Sequence, residues 1–133
     1  MTPSVAPDFD EKPPSGETLS HIFHLLQSER RRRVIWYLTH LKSNETVTVR
    51  RLAKNVASAE QNMPIPEIPN EDYRPVYTNL VQHHLPALAD ADAIDFNADR
   101  KVVTPGQNLN ALSVVAGITI PVIALLRSET VNK

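Results

Sequence analysis

The residues able to do chemistry in this chain are cations, side-chain amides and histidines, and their spacing suits binding rather than bond making. Cations gather locally at Arg30 to Arg33, at Arg50-Arg51, at Arg74 and at Arg100-Lys101. The pair His83-His84 follows Asn79 and Gln82 closely. Arginine and lysine suit phosphate oxygens, and the amides of Asn and Gln can pair two-pronged with an adenine edge. No cysteine is present, which excludes disulfides, thiolate metal sites and thiol nucleophiles. None of the three glycines lies in a phosphate-cradling pattern. No Ser-His-Asp order or paired-carboxylate motif stands out, so neither an enzyme nor a cofactor is expected. His21 and His24 stand three apart, a spacing compatible with a shared metal. With no cysteine and few carboxylates nearby, no metal site is expected. Net charge is −1 over 133 residues, so any field that attracts an anionic partner must be local.

These groups need elements to hold them. Residues 1–16 carry four prolines and scattered charge and read as a disordered tail, without the apolar run of a secretory signal. A cytoplasmic protein is the expectation. Leu19, Ile22, Phe23, Leu25 and Leu26 recur at helical spacing over about Glu17 to Gln27. A second helix is expected from Glu29 to Lys42, capped by Ser28. Its apolar stripe is Val34, Ile35, Leu38 and Leu41, widened by Trp36 and Tyr37. Thr46 to Val49 suits a short strand, and Thr48 can cap a third helix to about Ala59 that buries Leu52, Ala53 and Val56. Pro64, Pro66 and Pro69 forbid a helix across 61–70. A fourth helix, capped by Asn70, is expected to run to about Ala89. A hairpin follows, with Ile94 and Phe96 in one strand and Val102 and Val103 in the other. The order predicts a mainly α protein with a small β-hairpin: a winged helix-turn-helix over 17–104.

The run Leu26-Gln-Ser-Glu-Arg-Arg-Arg-Arg-Val-Ile-Trp-Tyr-Leu38 resembles the entry to the second helix of ArsR-like winged-helix regulators. Val81-Gln-His-His-Leu-Pro-Ala-Leu88 looks like the end of their recognition helix. Taken together the two runs are most similar to a group of haloarchaeal, hence archaeal, domains on that scaffold. The proline-rich loop after the third helix departs from the pattern. The resemblance implies a transcription regulator that binds double-stranded DNA as a homodimer, with the fourth helix in the major groove and the wing beside it.

At about 100° per residue, Tyr73, Tyr77, Leu80, Val81, His84 and Leu88 share one arc of the fourth helix, the expected buried face. Asn79 and Gln82 lie opposite and are the base-reading candidates. Arg74, Thr78 and His83 are placed to reach phosphates or bases. His84 reads as a core histidine. Arg50, Arg51, Arg100 and Lys101 are phosphate candidates. The four arginines of the Arg30 to Arg33 run cannot all face one partner on a helix, so some are expected to bind phosphate and others to pair with Glu29 or nearby acids. Positive charge is unfavourable at a helix start, so an external anion or acid is expected to offset it.

From 105 to 127 the chain is an apolar segment with Gly117 and Pro121 inside, followed by a polar tail over 128–133. One reading makes it a dimerisation helix. Leu112, Val115, Ile118, Ile123 and Leu126 would then pack with Leu19 and Ile22 of the first helix. The alternatives are a membrane span over 109–126, at the short limit of length, and a surface for another protein. In the second functional class the winged helix is a protein-interaction module, tethered to a membrane by that segment.

Overall fold

A computed structural model describes residues 16–42 and 45–117. The tail 1–15, residues 118–127 of the terminal apolar segment and the tail 128–133 lie outside the described residues, and so do Ile118, Ile123 and Leu126. Helix α1 spans Gly16–Gln27, α2 Glu29–Thr39, strand β1 Val47–Thr48 and helix α3 Val49–Gln61. A 3-10 turn at Ile65–Glu67 leads to α4 at Asn70–Asn79. A π-turn over Leu80–His84 joins α4 to α5 at Leu85–Asp90. Strands β2 (Ile94–Asn97) and β3 (Val102–Pro105) form the wing, and a last helix, α6, begins at 109 and is described to 117. The fold is a winged helix: mainly helical, with one small antiparallel sheet.

That sheet has three strands, not the two of a hairpin. Its order is β1-β3-β2, with Val47 opposite Val103 and Phe96 also opposite Val103. The β-branched pair Val47-Thr48 is long enough to add one edge, and Thr46 and Thr104 join their hydroxyls across it at 3.1 Å. The wing is therefore tied to the start of α3. The Val49 N–H donates to the Lys101 carbonyl at 2.9 Å.

Local caps follow the sequence at two helices and not at a third. The Ser28 hydroxyl accepts from the Arg31 N–H, and that of Thr48 from the Arg51 N–H, each at 3.1 Å. At α4 the cap is Pro69, whose carbonyl takes the N–H groups of Asp72 and Tyr73. Asn70 is already the first helical residue and makes no side-chain cap. Helix α2 ends at Thr39, three residues before Lys42.

The core is one cluster. Leu25, Ile35, Leu38, Leu52, Leu80, Leu85 and Leu88 are its largest fully buried side chains. Each contributes roughly 1.5–3 kcal/mol by leaving water. Trp36 does not join it. It is 66% exposed, against the expectation that it widens the buried stripe of α2. Gly106 closes the wing onto α5. A Cβ there would lie 2.8 Å from backbone atoms of Asp92, Ala93 and Ile94, so the close approach needs glycine.

The expected straight helix over 70–89 is interrupted, and the buried face changes with it. Leu80 and Leu85 are both fully buried, five residues apart, and the Leu85 N–H donates to the Leu80 carbonyl. Pro86 gives a physical reason. It has no N–H for the carbonyl four residues back, and its ring crowds that carbonyl, so the turn widens by one residue. Leu85 therefore takes the core position that a uniform 100° step gave to His84, which is only half-buried. Val76, one α-turn before Leu80, is buried where Tyr77 is half-buried.

Candidate nucleic-acid interface

Helices α3 and α4, joined by the proline-rich connection, form the helix-turn-helix, and α4 presents one exposed edge. Glu71, Arg74, Pro75, Thr78, Asn79, Gln82 and His83 line a shallow depression along it. Four of the five candidates from this helix are exposed there: Arg74, Thr78, Gln82 and His83. The structure thus brings the α4 candidates onto one surface. A hydroxyl, an amide, an imidazole and a guanidinium set side by side can hydrogen-bond to base edges and phosphates.

Asn79 is in the same depression but differently placed. It is half-buried, and its Oδ1 accepts from Arg30 Nη1 at 2.8 Å. Two-pronged adenine recognition needs both ends of the amide. With Oδ1 engaged, Asn79 in this structure has only one end to offer.

Arg50 and Arg51 are exposed at the start of α3. Lys54, one turn on, holds its ammonium 5.5 Å from the centre of the Tyr73 ring on α4. Burial pushes the Tyr73 phenol above its ordinary pKa, and the positive charge of Arg50 opposes that. Lys54 and the charge of Arg50 therefore lie beside Tyr73 in the first turn of α4.

At the wing the two cations separate. Arg100 is exposed, and its backbone N–H donates to Asn97 Oδ1 at 2.9 Å, which closes the turn. Lys101 takes a left-handed φ of 56° and folds its ammonium onto the Ala98 carbonyl. Its head group serves the turn, leaving Arg100 as the outward cation of this pair.

The arginine run has internal partners: pairing with Glu29 or nearby acids was expected from the sequence, whereas the bonds to His84, Asn79 and the α1 carbonyls were not. Arg30 forks onto Glu60, Nε to Oε2 at 2.5 Å and Nη2 to Oε1 at 2.7 Å. Arg31 is buried and donates to the carbonyls of His24 and Leu25, both at 3.3 Å, and to His84 Nδ1 at 3.2 Å. Arg32 donates to the Leu26 carbonyl, and Arg33 pairs with Glu29 at 2.9 Å. The carbonyls are the orphan acceptors of the last turn of α1. Positive charge at the start of α2 is thus also positive charge at the end of α1, where the dipole favours it. Among the described residues, Glu60 of α3 and Glu29 are the acids paired with the run. The readable signals were Glu29, four residues before Arg33, and the tight α1–α2 junction at Ser28.

His84, expected as a core histidine, is half-buried at the edge of the core. The bond from Arg31 Nε leaves Nδ1 as the acceptor, so the neutral ring carries its proton on Nε2. Burial first, then the charges of Arg31, Arg30 and His83, hold its pKa down at about 4, with Glu60 opposing. His21 and His24 are exposed, and among the described residues no three His, Cys, Asp or Glu side chains are grouped to share a metal.

The residues expected to dimerise fall into different settings. Leu19 is exposed and Ile22 half-buried on α1, whereas Leu112 is buried within the single chain. Val115 is half-buried. Leu112 therefore faces inward, because α6 needs an apolar stripe of Leu109, Leu112 and Ala116 to pack at all. No helix among the described residues is long and apolar enough to cross a membrane, and 118–126 lie outside them.

No curated protein and no solved structure matches the chain. Residues 23–104, more than half of the sequence, match the model of a domain of unknown function, DUF7344, and by that match the chain belongs to the DUF7344 family.

Proposed function

We propose that the protein is a non-enzymatic transcription regulator that binds duplex DNA as a homodimer, with α4 in the major groove and the wing alongside. The observation that carries this reading is the single exposed edge shared by Arg74, Thr78, Gln82 and His83, backed by Arg50 and Arg51 of α3. A winged helix offers that edge to a groove, and the resemblance to ArsR-like regulators supports the same use. Gln82 is the leading base reader, and Asn79, its Oδ1 held by Arg30, offers its amide nitrogen as a second donor. Arg50, Arg51 and Arg100 hold phosphates.

The dimer reading has its own support. Five large apolar side chains are exposed among the described residues: Leu19, Phe23, Trp36, Ile65 and Val114. All but Ile65 lie on α1, α2 and α6, the elements outside the helix-turn-helix. An apolar surface there suits a second copy, and it leaves α4 free for DNA.

The test is fluorescence anisotropy on a labelled duplex across a salt series. Wild type should lose affinity steeply with salt. Arg50→Ala and Arg51→Ala should each weaken binding to every duplex and flatten the log–log slope by about 1. Unchanged slopes in both variants would remove α3 from the interface.

A further inference from the structure

Two neighbouring arginines grip the recognition helix on either side of its irregular turn. Arg30 holds Asn79, the last residue of α4, and Arg31 holds His84, the last residue of the π-turn. Between these grips lie Leu80 to His84, and Gln82 and His83 are on the exposed side of that stretch. The guanidinium of Arg30 is itself fixed, because two of its nitrogens fork onto Glu60 near the end of α3. The chain of contacts runs α3 Glu60, α2 Arg30, α4 Asn79.

We infer that Arg30 is a positioning residue for base recognition: it sets the rotation of the π-turn that carries Gln82, and it holds the Asn79 amide in one orientation. This rests on the DNA-binding reading above. A π-turn closes its ring one residue later than an α-turn, so a helix can shift between the two geometries by exchanging hydrogen bonds. Such an exchange would rotate everything beyond the turn relative to Arg74 and Thr78. Both ends of the turn must be held to keep one rotation. Pro86 disfavours the α alternative, the Leu80 and Leu85 side chains anchor the inner side, and Arg30 and Arg31 hold the ends. Arg31 is buried and bound to the α1 carbonyls, so its role cannot be separated from folding. Arg30 is partly exposed, with a side-chain relative exposure of 29%, and can be separated.

The fork is the essential feature. Lysine keeps the charge but carries its three donors on one nitrogen, which does not reproduce the planar fork whose three nitrogens reach both carboxylate oxygens and the amide. The variant Arg30→Lys in the full chain therefore keeps the electrostatics and removes the geometry.

Two readouts test this. The first is amide hydrogen exchange of the free protein, which does not depend on DNA. Arg30→Lys should speed exchange about tenfold or more at residues 80–85, with little change in α1 or β3. Unchanged exchange at 80–85, or an equal rise everywhere, overturns the inference. The second compares a preferred duplex, enriched by wild type from random sequence, with a scrambled one. Arg30→Lys should reduce the discrimination about tenfold and keep the wild-type salt slope. Adding Asn79→Ala to Arg30→Lys should cost much less than Asn79→Ala costs alone, since the two act together. Wild-type discrimination in Arg30→Lys, or a uniform loss on both duplexes, also overturns it. If wild type binds no duplex, the DNA reading fails, and the exchange result alone decides whether Arg30 holds the turn.

Discussion

His84 shows how one side chain joins packing to pH. Its ring accepts from buried Arg31, so it must be neutral to fit. The folded pKa of about 4 lies below the ordinary 6.5. A histidine depressed in this way stabilises the fold fully above the unfolded value. The contribution fades as pH falls from 6.5 toward 4, because the unfolded chain takes the proton first. Arg31, Arg30 and His83 act against that proton, and Glu60 in its favour. Melting temperature should therefore be flat near neutral pH and fall between 6.5 and 4. His84→Gln, which can still accept from Arg31, should lose much of that slope. An equal slope in the variant would place the titration elsewhere. That His84 lies against the core was legible from its place in an apolar arc, although it is only half-buried. Its partner was not, since Arg31 is 53 residues away in sequence and nothing local marks which of four consecutive arginines turns inward.

Among the elements, most of the fold could be read because caps and apolar periods agree along the chain. Ser28 and Thr48 start their helices as their types predict, and the stripe of α3 is buried as spaced. The fourth helix was misread because one constant step per residue was applied through a segment containing Pro86. The hint was present in the spacing of Leu80 and Leu85, which no straight α-helix brings onto one face. Leu85→Ala should cost about 2–5 kcal/mol, measured by urea unfolding, as for other fully buried leucines. A cost below about 1 kcal/mol would contradict the π-turn, because a straight helix turns position 85 toward the edge of the core. The short strand β1 was legible as a strand, but its pairing with β3 was not, because two residues carry no register of their own.

For the whole molecule, near-zero net charge does not decide function, because the cations are distributed by role. The run at 30–33 joins α1, α3 and α4 internally, while Arg50, Arg51, Arg74 and Arg100 are exposed around the helix-turn-helix and wing. Counting charges could not separate these groups, since only folding brings Glu60 to Arg30. The apolar surface of Leu19, Phe23, Trp36 and Val114 is expected to hold the dimer. Trp36→Ser should move the mass in light scattering from dimer to monomer and weaken DNA binding by loss of the second half-site. A wild type that is already monomeric, or a variant that stays dimeric, would contradict that surface. The central claim is that α4 reads bases in duplex DNA, and its most direct measurement is selection from random duplexes by the full chain. Wild type should enrich a two-fold symmetric motif, and Gln82→Ala should lose preference at one position of each half-site. Enrichment of no motif, at low salt and with folded protein, would contradict the account.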